Sequence, residues 1–500
     1  MPQENKGGFA QMNQLLLFIY DDRILPDRHF CKVIGEQKRF SEIIYKRESF
    51  YSRTRSLLDA MNEITSVYTL KHTADLESLA AQKLMFNPGT SMIHMYSYAL
   101  VTGENEFSLL VQKLYYSQHN VVVMNGDVPL LLYFTNAESY LNYLNADENE
   151  AENSLLKRLD INRMHTDCLY NISDYSAFIR FLSGGFDARF FNILNGTDYT
   201  VVKKSTNKKK IMMEYAFYRL LPEEMQSWFV LPYHYAEGED WASYTMERYY
   251  MADMAVRWTH NAIPAAKIDV FLEKAMVFIN QRNKKTVDGA QSARMRSALY
   301  LDKVQDRIGM LKACKEFPLI DAYIQQGTAF SGIDEVFDRY KGLYANAQRK
   351  MKHFNYLCIG HGDFCFSNIL YDDDTGLMRF IDPKGALTEA DLWTDPYYDI
   401  AKLSHSICGL YDYITSGQYR IELNRSMQFE LHINFDNAEY KKLLYSNLER
   451  NGFHCGLVRL YEASLFLSML PLHIDNPNKV FAFLLIAIQI MNEVESEWKM

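Results

Sequence analysis

The chain has no long run of basic residues, no paired-cysteine motif and no unbroken apolar run long enough to cross a bilayer. Lysine and arginine together number 53 against 62 acidic residues, a net charge of −9. Proteins that grip nucleic acid through its phosphates present a basic stripe, so no nucleic-acid partner is expected. The seven cysteines (Cys31, Cys168, Cys314, Cys358, Cys365, Cys408 and Cys455) are odd in number and irregular in spacing. With no Cys-x-x-Cys pair and no Cys/His set at zinc spacing, they read as reduced thiols of a cytoplasmic protein. The N-terminus lacks a cleavage site of small residues. The longest apolar run, VFAFLLIAIQIM from Val480, is too short to span a membrane, and a buried helix is expected there. No repeat of fixed period and no low-complexity tract is present.

Hydrophobic residues make up 48% and charged residues 23% of the 500, which suits a globular protein of two or three domains. Residues 1–150 read as an α/β domain. LLLFIY, MIHMYSYALV, NVVVMNG and LLLYFT have strand length and composition, and 49–61 and 74–85 read as helices. This stretch holds no Gly-Lys-Ser/Thr phosphate loop, no Gly-x-Ser-x-Gly and no His-Glu-x-x-His. Asp127, after Asn125-Gly126, is an aspartate near a strand end, a place where sugar-nucleotide enzymes often put one; an ordinary turn is the plainer reading. The polar stretch DENEAENS, 147–154, marks the expected domain boundary.

Beyond it, FIRFLSGG, RFFNIL and YTVVKKS read as three consecutive strands, with Asn195-Gly196 a hairpin signal. A helix is expected over 209–220, then two strands around a polar turn at 237–240. Residues 267–350, 391–410 and 440 to the end carry helical periodicity. A small β-rich lobe, 151–262, thus precedes a large helical lobe, 263–500.

One non-helical segment interrupts the second lobe: LCIGHGDFCFSNILYDDDTGLMRFIDPKG. Asp363 and Asn368 stand in the pattern H-G-D-x-x-x-x-N. If the apolar runs on either side of DDDTG pair as a hairpin, Asp382 returns to the neighbourhood of Asn368. Magnesium takes hard oxygen ligands and is usually held by one or two protein groups plus substrate phosphates. Asn368 and Asp382 can supply the protein ligands, while Asp363 can accept a hydroxyl proton. That is the division of labour in kinase-type phosphoryl transfer.

GHGDFCFSNILYD followed by RFIDPKG resembles the paired signature of aminoglycoside phosphotransferases and choline-kinase-like enzymes, which share the protein-kinase fold. The resemblance covers residues from about 175 to the C-terminus. YTMERYYMADM and LSMLPLHIDNP resemble the phosphotransferase-domain proteins of bacterial capsule and surface-polysaccharide clusters. The resemblance implies an α+β, bilobal, protein-kinase-like domain behind the N-terminal α/β domain, binding ATP and Mg²⁺ and phosphorylating a hydroxyl of a small molecule such as a sugar or polyol. It also implies a strand lysine on the nucleotide phosphates, paired with a helix glutamate. Lys203 and Lys204 point to opposite faces. Lys204, sharing a face with Val202, is the expected phosphate contact, with Lys203 the rival, and Glu214 is the expected partner. Met246 and Glu247 would lie at the adenine hinge. SGGFDAR replaces a full Gly-rich loop, and Asp-Pro-Lys replaces Asp-Phe-Gly, so Lys384 either adds charge near the phosphates or faces solvent.

The other polar residues have structural readings. His361 orients its loop, Asp399 caps a helix or holds that loop, and Asp372 to Asp374 form a solvated turn because calcium spacing is absent. Two rival readings follow: a nucleotide-binding regulatory module without transfer activity, and a bifunctional chain whose first domain is a transferase.

Overall fold

A computed structural model describes residues 15–498 except 46, 82, 146–159 and 184–191. It divides into two compact units: the chain up to Cys31 with Glu36–Phe181, and Lys32–Gly35 with the chain from Leu182.

The first unit is built on a six-stranded sheet. Its order is Ser66–Leu70, Leu15–Asp21, Thr90–Tyr96, Val128–Phe134, Asn120–Asn125 and Ile161–His165. The first three strands are mutually parallel, and Leu16 to Tyr20 are buried on both faces, as the unbroken apolar run requires. Asn125-Gly126-Asp127 is the tight turn of an antiparallel hairpin, with Gly126 at φ +60°. Asp127 is therefore a turn residue.

Two expectations are corrected here. The acidic stretch 147–154 falls outside the described residues, but the strand after it, Ile161–His165, pairs in parallel with Asn120–Asn125. The first unit thus continues past residue 150 to Phe181. FIRFLS is not a strand. Tyr175–Ser183 is a helix, entered from Asp174, whose carboxylate accepts the Ala177 N–H at 2.9 Å. A short apolar run fits either element, and the cap decides for helix. SGGFDAR lies almost wholly outside the described residues.

The second unit opens with a four-stranded sheet in the order Asn192–Gly196, Thr200–Ser205, Ala242–Glu247, Pro232–Glu237. The Lys208–Leu220 helix packs on it, with Ile211, Val230, Tyr244 and Met246 in their common core. Asn207 caps this helix by accepting the Lys210 N–H at 3.1 Å. Long helices follow, including Ala265–Gln281, Ile333–Lys350, Tyr398–Ile407, Cys455–Met469 and Pro477–Trp498, around one large apolar core. Among the described residues, one helical stretch is long and apolar enough to cross a membrane, Cys455–His473, and it is almost wholly buried inside the fold. A hairpin of Arg420–Leu423 and Phe429–His432 was not expected from periodicity.

Candidate active site

Thr200–Ser205 alternates its faces. Val201, Lys203 and Ser205 are buried, while Val202 and Lys204 are half-buried. The buried face meets the Lys208–Leu220 helix. Lys203 Nζ lies 2.7 Å from Glu214 Oε2 and 2.7 Å from Asp382 Oδ1. Tyr244, directly across the strand pair from Lys203, donates its hydroxyl to the same Glu214 oxygen at 3.0 Å. The expectation of Lys204 is corrected: its Nζ sits over the Trp241 ring at 4.0 Å, on the other face. Lys203, the rival, is the residue paired with Glu214.

Burial opposes the Lys203 charge, yet the two carboxylates more than offset it and raise its pKa. Burial pushes Glu214 up, and the nearby Asp382 charge adds to this. Asp382 goes down: burial alone would raise it, but the Lys203 ammonium, helped by Lys210, more than offsets that. One ammonium thus serves two carboxylates, and Asp382 is the more fully ionised of them.

The H-G-D-x-x-x-x-N segment follows the short strand Tyr356–Ile359. Asp363 N–H donates to His361 Nδ1 at 3.1 Å, so the ring proton belongs on Nε2, which is 2.9 Å from the Ile381 carbonyl. Burial lowers the His361 pKa and keeps the ring neutral. It is a loop brace, linking residues 361–363 to the strand that leads into Asp382. Asn368 donates its amide Nδ2 to the Asp363 carbonyl at 2.8 Å and to Asp363 Oδ2 at 3.0 Å. Ile369–Asp372 and Leu377–Phe380 pair as the anticipated hairpin, and Ile381 N–H reaches the Asn368 carbonyl at 3.1 Å. Asp363, Asn368 and Asp382 are therefore gathered by one hairpin and one loop.

The Tyr398–Ile407 helix holds this loop from behind. Asp399 accepts His361 N–H at 3.0 Å and Gly362 N–H at 2.8 Å, and it is paired with buried Arg282 at 3.0 Å. Lys402 Nζ lies 2.9 Å from Asp363 Oδ1. Ser406 Oγ accepts Phe366 N–H at 3.1 Å. The three residues have the spacing i, i+3, i+7, which is one helix face. Sequence reading anticipated a loop-holding role for Asp399 and missed Lys402 and Ser406; the pattern D-x-x-K-x-x-x-S was the available signal. Burial would raise the Asp363 pKa, but the Lys402 ammonium, with the Asn368 hydrogen bond, brings it down to about 2.

Asp382 adopts φ +54°, a left-handed conformation uncommon outside glycine. Gly385, at φ +82°, lets the following turn press on the Glu214 helix: a Cβ there would lie 2.7 Å from Met213 Cβ. Ala386 N–H bonds the Met213 carbonyl at 3.0 Å. Lys384 is an exposed residue whose stem packs over Gly362. Met246 is buried and lines a cleft with Glu214, Phe229, Tyr244, Ile381 and Asp382. Glu247, at the end of the same strand, is exposed and outside that lining. In the DDDTG turn, Asp372 accepts from Thr375 at 2.7 Å, while Asp373 is mostly buried and pairs with Arg257 at 3.1 Å and with Lys267. The turn is tied down as well as solvated. Among the described residues, no group of three or more His, Cys, Asp or Glu is arranged to hold a metal by itself.

No protein-family profile and no curated protein matches the sequence. Among solved structures, similarity is found to aminoglycoside phosphotransferases. A thermostable mutant of APH(4)-Ia in its apo form aligns over 63% of this chain and 98% of its own, at 11% identity and a TM-score of 0.34. A ternary complex of a thermostable APH(4)-Ia mutant with AMP-PNP and hygromycin B aligns over 63% and 98%, at 10% identity and a TM-score of 0.37. The streptomycin–ATP ternary complex of APH(2")-IIa aligns over 62% and 89%, at 12% identity and a TM-score of 0.32. Overlap this slight leaves the chemistry to be read from the side chains.

Proposed function

We propose that the second unit is an ATP- and magnesium-dependent small-molecule kinase that transfers the γ-phosphoryl group to a hydroxyl. The observation that carries this reading is the convergence of Lys203, Glu214 and Asp382 with the Asp363–Asn368 pair. Lys203, held by Glu214, would place its ammonium against the nucleotide phosphates. Asn368 commits its Nδ2 to Asp363 and keeps Oδ1 for a cation; Lys203 takes Oδ1 of Asp382 and leaves Oδ2. Two hard oxygen donors beside a phosphate-binding lysine fit Mg²⁺. When bound, Mg²⁺ neutralises charge on the β- and γ-phosphate oxygens. Asp363, kept ionised, orients the acceptor hydroxyl and takes its proton as the new P–O bond forms and the γ-phosphorus bond to the bridging oxygen breaks, releasing ADP. Such catalysis is mostly positioning and electrostatics, so a carboxylate of low basicity suffices.

The acceptor we favour is a sugar, polyol or related precursor of a surface or capsule polysaccharide, made in the cytoplasm; the sequence resemblance supports that choice. The test is calorimetry with ATP, with and without Mg²⁺, followed by ADP release over a panel of sugars, polyols, amino alcohols and aminoglycosides. Magnesium-dependent ATP binding and acceptor-dependent ADP release are expected. No magnesium-dependent binding would overturn the reading.

A further inference from the structure

We infer that Lys402 is a positioning residue for phosphoryl transfer, holding the Asp363 carboxylate in the rotation that receives the acceptor hydroxyl; this rests on the kinase reading. A carboxylate on a single side chain can turn about its terminal bond, and an incoming hydroxyl needs one fixed oxygen. Here both oxygens of Asp363 are taken from the protein side. Lys402 holds Oδ1 at 2.9 Å and Asn368 Nδ2 holds Oδ2 at 3.0 Å. Even so, 41% of the Asp363 side chain stays exposed, so the carboxylate remains open to an incoming hydroxyl.

Lys402 is matched to Asp363 and to no other acid among the described residues. The carboxylate three positions before it, Asp399, is already consumed by Arg282 and by the His361 and Gly362 amides. On this helix face, Asp399 and Ser406 bind only the backbone of the loop, while Lys402 alone binds the reacting side chain. The two backbone contacts fix the helix against the loop on either side of Lys402. Its side chain is only 14% exposed, so its stem is enclosed and its ammonium has little freedom to leave. Ionic attachment with so little slack gives angular precision, and misplacement of a reacting group by about 1 Å can cost on the order of a hundredfold in rate.

The experiment compares wild type, Lys402→Met, Lys402→Gln, Asp363→Asn and the Asp363→Asn/Lys402→Met double variant at saturating ATP, Mg²⁺ and acceptor, with circular dichroism to count folded protein. Lys402→Met is expected to lower kcat by about a hundredfold while KM for ATP changes by less than about twofold. Lys402→Gln, which keeps a hydrogen-bond donor and spares the fold if the methionine variant is unstable, is expected to lose kcat without a KM change as well. In the Asp363→Asn background, Lys402→Met should cause no further loss, because its effect passes through that carboxylate. A kcat per folded molecule within about threefold of wild type for both Lys402 variants, with Asp363→Asn inactive, overturns the inference and leaves the kinase reading standing. Wild type that turns over no ATP with any acceptor removes both.

Discussion

Removing the Lys203 ammonium would leave Glu214 and Asp382 facing each other without their shared cation. Lys203→Met should therefore lose stability in a thermal melt and lower kcat/KM for ATP by at least about a hundredfold. Lys204→Met, which gives up only a cation–ring contact with Trp241, should keep activity within about threefold. Equal losses in the two variants would contradict the assignment. Strand alternation makes the two lysines exclusive, but it does not say which face is inward. That is settled by the Lys208–Leu220 helix and by Tyr244 across the sheet, neither of which a local window contains. Glu214, Asp363, Asn368 and Asp382 could be picked out because a short loop, one hairpin and one helix following the strand bring them together.

Asp412 gives a pH-dependent test at the same scale. It is buried, one carboxylate oxygen lacks a hydrogen-bond partner, and burial, helped by the charges of Asp253 and Asp363, pushes its pKa up to about 7. A raised folded-state pKa means the folded chain binds a proton that the unfolded chain has released. This contribution to stability is whole below about pH 4, the ordinary Asp range, and is lost as pH rises through 7. Asp412→Asn should flatten that loss in melts between pH 4 and 8, with the largest relative gain at pH 8. A parallel pH profile in wild type and variant would contradict it.

At the scale of elements, two devices hold the site: the Tyr398–Ile407 helix behind the loop, and the close pass of Gly385 over the Glu214 helix. Gly385→Ala would place a Cβ 2.7 Å from Met213 Cβ at a φ of +82°. A loss of about 1–3 kcal/mol in denaturant melts is expected, with weaker ATP binding as the Asp382 turn is pushed off the helix. Unchanged stability would mean the turn is free to shift. Residues 175–183 show where pattern reading fails at this scale: FIRFLS suits a strand or a buried helix, and only the Asp174 cap distinguishes them. The helical lobe was easier, since helices such as Ile333–Lys350 repeat their buried positions over several turns.

At the scale of the whole molecule, every residue of the proposed site belongs to the second unit. Of the first unit's three mutually parallel strands, Leu15–Asp21 and Thr90–Tyr96 were readable as apolar runs, and Ser66–Leu70, which is only partly buried, was not. The unit's extent was not readable either, because Ile161–His165 alternates weakly and joins the sheet only by pairing with Asn120–Asn125. A ligand that binds only the folded form stabilises it by mass action, so ATP with Mg²⁺ at about a hundred times Kd should add about 2.7 kcal/mol to unfolding of the site-bearing unit. ATP with a chelator should add far less, and equal effects would argue against a cation in the site.

The central claim is that Asp363 directs a phosphoryl group from a nucleotide to a hydroxyl. Transfer of label from γ-labelled ATP to acceptor, compared between wild type and Asp363→Asn, tests it most directly. Magnesium-dependent label in the acceptor with wild type, and at least about a thousandfold less with the variant, is the predicted result. Equal transfer by both proteins, or none by wild type across the acceptor panel, would contradict it.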